Sequence, residues 1–235
     1  MNVDKAYKAA KAADNLLSNI TMVICLLLFL FASYSLIDNY MIFNDAQDKS
    51  MLRYKPSDGS TVALSEIKDA VAWISFDNTT IDYPVMQGRD NNEYLNKNPF
   101  GEFALAGSIF LDYRNSSDFS DYYSIVYGHH MEHDAMFGAL DQYKDQEYFD
   151  THRDGTLYVG DKKYPLHIFA VVSCMASDQN IFDPYQFDLS SGFLEQNAMF
   201  FEDPGEQQHF IAFTTCAATP SEARLAVLAI ISEED

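Results

Sequence analysis

Cys216 ends an apolar, β-prone run, His209-Phe210-Ile211-Ala212-Phe213-Thr214-Thr215-Cys216, and is followed by the turn-rich segment 217–222. Arg224 comes eight residues later and opens a second apolar run, Leu225 to Ile231. A thiol becomes a useful nucleophile when a neighbouring histidine or cation stabilises its thiolate. A loop of this length can bring the chain back alongside itself, so the thiol and the guanidinium could face each other across a cleft. The stretch lacks a base close to the thiol. The candidate lies far upstream, in Tyr127-Gly128-His129-His130-Met131-Glu132-His133-Asp134, which holds three of the six histidines of the chain.

Each of these residues also has a plainer reading. Free cysteines are among the most buried residue types and mostly serve packing. That account suits Cys25, inside a long apolar stretch, and Cys174, which ends an apolar strand candidate. Cys216 differs because two threonines precede it and a turn follows, which puts it where a strand end displays its side chain. Of the histidines, His129 and His133 have the i, i+4 spacing of metal ligands, with Asp134 as a third donor. The helical His-Glu-x-x-His pattern is missing, however, and a strand ends just before them, so no metal is expected. The segment is either a surface loop, or it supplies His129, the first residue past a flexible Gly128, as general acid and base.

Composition narrows the partners. With 35 acidic and 15 basic residues the formal charge is −20, and no cationic footprint exists for nucleic acid. Three scattered cysteines build neither a disulfide framework nor a Cys-x-x-Cys site.

Residues 1–15 carry Lys5, Lys8 and Lys11, whereas Leu16 to Ile37 contains no charged residue. As a helix that stretch measures roughly 33 Å, enough for a bilayer core of about 30 Å. The lysines precede it and Asp38, Asp45 and Asp48 follow, so the positive-inside bias puts the N-terminus in the cytoplasm. A cleaved signal peptide is the rival, but its apolar region is normally shorter, and Phe31-Ala32-Ser33-Tyr34-Ser35 is a poor cleavage site. Residues 38–68 read as an extracellular stalk and helical lead-in, with a turn at Pro56-Ser57-Asp58-Gly59-Ser60 and a helical turn at Leu64 to Asp69 capped by Ser65. Residues 69–235 form the remaining domain.

Within it the pattern predicts eight strands: Val71–Phe76, Ile81–Met86, Ser108–Asp112, Tyr122–Tyr127, Thr156–Val159, Tyr164–Val172, His209–Thr215 and Arg224–Ile231. Short helices are expected around Glu93 to Leu95 and over Met136 to Gln142. An amphipathic helix is expected over Leu189 to Phe201, inside a long insertion from Ser173 to Gln208. Trp73 is assigned to the core. Many short strands with few helices indicate a mainly β fold, a closed barrel or a sandwich.

Taken together, these pieces resemble the sortases, membrane-anchored cysteine transpeptidases of Gram-positive bacteria. Tyr127-Gly128-His129, Thr214-Thr215-Cys216 and Arg224 are similar to the three signature elements of that family, in order, behind an N-terminal anchor. Within the family the chain looks like class B. The shared features are Trp73-Ile74-Ser75-Phe76 followed by Tyr83-Pro84-Val85, the loop Asp90-Asn91-Asn92-Glu93-Tyr94-Leu95, the strand Gly107-Ser108-Ile109-Phe110-Leu111-Asp112, Met136-Phe137, and the insertion before the cysteine strand. Phe213 stands where the family usually has leucine, a conservative exchange.

The resemblance implies a closed eight-stranded barrel with short helices, an N-terminal helical lead-in and a helix-bearing insertion before the last two strands. It also implies a mechanism without cofactor. Cys216 would attack a threonine carbonyl in the C-terminal sorting signal of a secreted protein and form a thioester. His129 would protonate the leaving amine and later deprotonate the incoming amine of a peptidoglycan precursor, and Arg224 would hold substrate and oxyanion. Asn91, Leu95, Tyr127 and Thr214 would line the signal-peptide groove, with Ser177 and Ile181 on the insertion, and the N-terminal helix would contact membrane lipid. Rival readings are a membrane-tethered Cys-His hydrolase, against which the order histidine before cysteine counts for papain-like enzymes, and a non-catalytic wall-binding domain.

Overall fold

Alternating β-branched and aromatic residues between turn clusters set the strands of this chain. The structure, a computed structural model, describes residues 3–46, 49–56, 64–206, 209–216 and 223–232, with the backbone alone for residues 6, 43–46, 49, 50 and 216. From residue 57 onward the turn expected at 56–60 lies outside the described residues, as does the loop 217–222.

The chain divides into two compact units, Met1–Asn44 and Asp45–Asp235. Helix α1, Val3–Ala46, accounts for the first and runs on past Ile37, where a stalk was expected to begin. It is long and apolar enough to cross a membrane, and none of its most apolar stretch is buried by the protein. This agrees with a membrane anchor.

In the second unit, short 3₁₀ turns at Lys49–Tyr54 and Leu64–Glu66 lead in. Ser65 sits inside the latter turn instead of capping it. Nine strands follow among the described residues: β1 Ala70–Phe76, β2 Asp82–Met86, β3 Ile109–Leu111, β4 Tyr123–His129, β5 Asp154–Val159, β6 Lys162–Met175, β7 Ala198–Phe201, β8 Phe210–Cys216 and β9 Ala223–Ile231. Hydrogen bonding orders them β5-β1-β2-β3-β4-β8-β9-β6, and β6 pairs back onto β5. The eight expected strands therefore close into a mixed barrel, with the part of β6 beyond its pairing with β5 left as an edge. β2–β3 and β4–β8 are parallel, and the remaining ring pairs are antiparallel.

β7 is the strand missing from the sequence reading. It pairs with β6 outside the ring, in the region expected to be one helix over Leu189 to Phe201. That helix is interrupted because Gly192 adopts a left-handed φ of 70° between a 3₁₀ turn, Leu189–Ser191, and a short helix, Phe193–Asn197. Ala198 onward then finds backbone partners on β6, which outweigh a weak amphipathic pattern. Two further helix expectations also change. Residues 91–96 form turns, not a helix, and Phe137–Lys144 is a 3₁₀ segment entered through Met136 at φ 50°.

Among the described residues, two apolar clusters pack against the barrel. Alternate residues of β4, β8, β9 and β6 (Ile125, Ala212, Leu228 and Ala170 among them) pack under Ile181, Phe187 and Leu194 of the insertion. Trp73, Met86 and Phe110 of β1 to β3 pack under Leu64 and Ile67 of the lead-in and under Tyr94. Trp73 is fully buried, and its Nε1 donates to Asp82 Oδ1 at 2.7 Å, so the indole N–H is satisfied. Tyr127 packs against both clusters and stands between them.

Candidate active site

The parallel pairing of β4 with β8 sets Tyr127 opposite Thr214 and His129 opposite Cys216. Opposed residues share a face of the sheet, and neighbouring strands lie about 4.8 Å apart. The antiparallel pairing of β8 with β9 sets Thr214 opposite Ala226, and that register carried two residues further sets Arg224 opposite Cys216. Arg224 in turn pairs with Cys174 on β6. One row across four strands thus reads His129, Cys216, Arg224, Cys174, at one end of the barrel on the face that carries the insertion. The Cys216 side chain is outside the described atoms, so its place is given by its backbone register.

His129 is the last residue of β4, not the first beyond it. Its Nε2 donates to the Leu95 carbonyl at 2.6 Å. A carbonyl oxygen only accepts, so Nε2 carries the hydrogen, and Nδ1 remains for proton exchange. Leu95, expected in the peptide groove, thereby also holds the imidazole through its backbone. The preceding Gly128 is required for room and not for flexibility. A Cβ there would lie 2.4 Å from Ile109 Cδ1 and 2.6 Å from the Phe137 ring. The adjacent His130 is exposed and bonds to Asp141 through Nε2 at 2.8 Å. No cluster of three metal-ligating side chains forms among the described residues.

Gly107 closes the back of the histidine. Its φ is +62°, and a Cβ would come within 2.4 Å of the Leu95 oxygen and 2.9 Å of His129 Cδ2. Gly107→Ala is therefore expected to cost about 1–2 kcal/mol of stability from the left-handed backbone. Turnover should fall further, by about 10²-fold, because the added methyl displaces both the carbonyl and the ring it orients. Thermal melting alongside kcat/KM checks this; a turnover loss no larger than the stability change explains would refute it.

The remaining candidates divide. Asn91 and Tyr127 meet at one oxygen of Asp112: Asn91 Nδ2 donates to Oδ2 at 2.9 Å and the Tyr127 hydroxyl at 3.0 Å. Thr214 is fully buried, and its Oγ1 has no hydrogen-bond partner among the described residues. Ser177 is exposed in the turn after β6. Ile181, in the short helix Gln179–Phe182, is fully buried in the cluster beneath the insertion, and its carbonyl accepts from the Tyr123 hydroxyl at 3.0 Å. It is a packing residue of the insertion and presents no surface here.

Cys174 faces the same row, but burial pushes its thiol up to about 12, Asp178 adds to the rise, and Arg224 only partly offsets it. It is a poor thiolate at neutral pH.

No family model matches the sequence. Among curated proteins, Sortase B of Listeria monocytogenes is 43% identical over 104 residues, 44% of this chain and 42% of that protein. Sortase B of Staphylococcus aureus is 34% identical over 121 residues, 52% of this chain and 50% of that protein. The chain thus spans about half the length of the curated relatives it matches. Among solved structures, a Streptococcus pyogenes class B sortase involved in pilus biogenesis superposes with a TM-score of 0.67 at 33% identity, covering 72% of this chain and 95% of that one. The closed barrel, the outer insertion and these likenesses agree, and the chain belongs to the sortase family, class B.

Proposed function

We propose that the protein is a membrane-anchored cysteine transpeptidase. It cleaves the C-terminal sorting signal of secreted proteins after a threonine and transfers the protein to an amine of a cell-wall peptidoglycan precursor. Cys216 is the nucleophile, His129 the acid and base, and Arg224 the cation that holds substrate and stabilises the oxyanion. The observation that carries this reading is the row across the sheet, in which the β4–β8 register sets His129 beside Cys216 and the β8–β9 register leads to Arg224 on the other side.

The steps balance without a cofactor. The Cys216 thiolate adds to the threonine carbonyl, and collapse breaks the peptide bond as His129 donates its proton to the leaving amine. The acceptor amine then adds to the thioester carbon, loses a proton to His129, and expels the thiolate. Asn91, Leu95, Tyr127 and Thr214 line the donor groove in this reading, with Ser177 at the edge of the insertion. Thr214 stands opposite Tyr127 in the sheet, and its hydroxyl, buried beneath the groove, has no partner among the described residues. Residues 1–15 lie in the cytoplasm, 16–37 span the membrane, 38–68 form the lead-in, and 69–235 form the extracellular catalytic domain. The three lysines before the apolar span and the aspartates after it support that orientation.

The test uses the full chain in detergent with fluorescent sorting-signal peptides, with and without an amine acceptor. Ligation to the amine, absent in Cys216→Ala, is the expected result. Cleavage indifferent to the acceptor would instead make the protein a hydrolase. No turnover of any signal would leave a wall-binding domain.

A further inference from the structure

Asp112, one residue past β3, is fully buried and ionised. Burial pushes its carboxyl up, but hydrogen bonds from Arg114 and Asn91 outweigh that and hold it below the usual carboxylate range. Oδ1 accepts from the Arg114 backbone N–H and from Arg114 Nε, both at 2.9 Å. Oδ2 accepts from Arg114 Nη2 at 2.8 Å, Asn91 Nδ2 at 2.9 Å and the Tyr127 hydroxyl at 3.0 Å. Apart from Arg114, every donor to this carboxylate is a candidate for the peptide groove.

Arg114 extends the link to the insertion. Nη2 also donates to the Phe182 carbonyl at 2.8 Å, and Nη1 lies 3.5 Å from Asp183 Oδ1. The Tyr185 hydroxyl returns a bond to the Arg114 carbonyl at 3.1 Å. One ion pair therefore joins three segments distant in sequence: the loop of Asn91, β4 at Tyr127, and the insertion at residues 182–185. Asn91 is gripped at both ends of its amide, since its Oδ1 accepts from Tyr113 N at 3.0 Å, and one amide hydrogen remains to face a ligand.

A buried ion pair is a weak source of stability, because desolvation offsets most of the attraction, whereas its directional bonds hold geometry. Tyr127 stands two residues before His129 and opposite Thr214, so the geometry held here is that of the groove leading to Cys216. We propose that Asp112 and Arg114 are a positioning pair for the donor peptide. They fix Asn91, Tyr127 and the insertion against one another and so set affinity for the sorting signal, without taking part in the chemistry at Cys216. This rests on the transpeptidase reading above.

Kinetics of the full chain in detergent test it. Asp112→Asn and Tyr127→Phe should each raise KM for the signal peptide about tenfold and change kcat less than about threefold, and the double variant should be no worse than the more severe single one. Alkylation of Cys216 by iodoacetamide, followed by peptide mass mapping, should keep its rate within about twofold. Multiplying effects in the double variant, an unchanged KM, or alkylation that falls in parallel with turnover would each overturn the proposal. Should Asp112→Asn not fold, Tyr127→Phe combined with Asn91→Ala probes the same coupling through the shared Oδ2. A wild-type chain that turns over no signal peptide overturns the transpeptidase reading, and this inference with it. A working wild type with multiplying variants overturns the inference alone.

Discussion

His129→Ala is expected to lower transfer of a signal peptide to an amine by about 10³-fold, while His130→Ala leaves it within about twofold. The two histidines are neighbours in sequence and chemically identical, so only their placement separates them. Successive residues of a strand face opposite sides, and the β4–β8 register sets His129 beside Cys216. Its Nε2 hydrogen is committed to the Leu95 carbonyl, which fixes the ring and leaves Nδ1 as the exchanging nitrogen. His130 lies on the exposed side and bonds to Asp141. Single-turnover rates for both variants, with Cys216→Ala as the floor, provide the check. Equal losses at the two positions would sink the assignment of His129.

Arg224→Ala should lower kcat by about 10²- to 10³-fold, the scale of losing one oxyanion donor in a water-poor site. Arg224→Lys should recover only part of this, because a single ammonium cannot reproduce the planar fork of a guanidinium. The residue is the second of β9, opposite Cys174 and in register to face Cys216. Its side chain is only half-buried, so its loss should scarcely move the melting temperature, which separates a catalytic defect from unfolding. Acyl-enzyme accumulation followed by mass spectrometry reads the acylation step directly. Wild-type acylation in Arg224→Ala would show that the guanidinium has no part in it.

The strands are largely legible in the sequence, for a physical reason. Period-two burial forces apolar and polar residues to alternate, and the turn residues between runs punctuate them, so all eight ring strands fell near their expected limits. Trp73 was assigned to the core and is fully buried. Helical expectations fared worse. The run Leu189 to Phe201 contains enough apolar residues for a helix, yet Gly192 and the free edge of β6 divide it between a short helix and β7. Local pattern carries no information about which edge stands ready to pair. The role of Asp112 is not legible in the sequence, because its burial depends on Asn91, Arg114 and Tyr127 converging from separate segments.

Spacing and residue type by themselves determined that a thiol, an imidazole and a guanidinium lie at strand ends behind an apolar helix, since each of those facts is local. That His129 and Cys216 stand opposite each other was decided by the tertiary structure. It did so through one parallel pairing between strands far apart in sequence, which no short window can encode, and a glycine at 107 leaves the histidine room to reach its carbonyl.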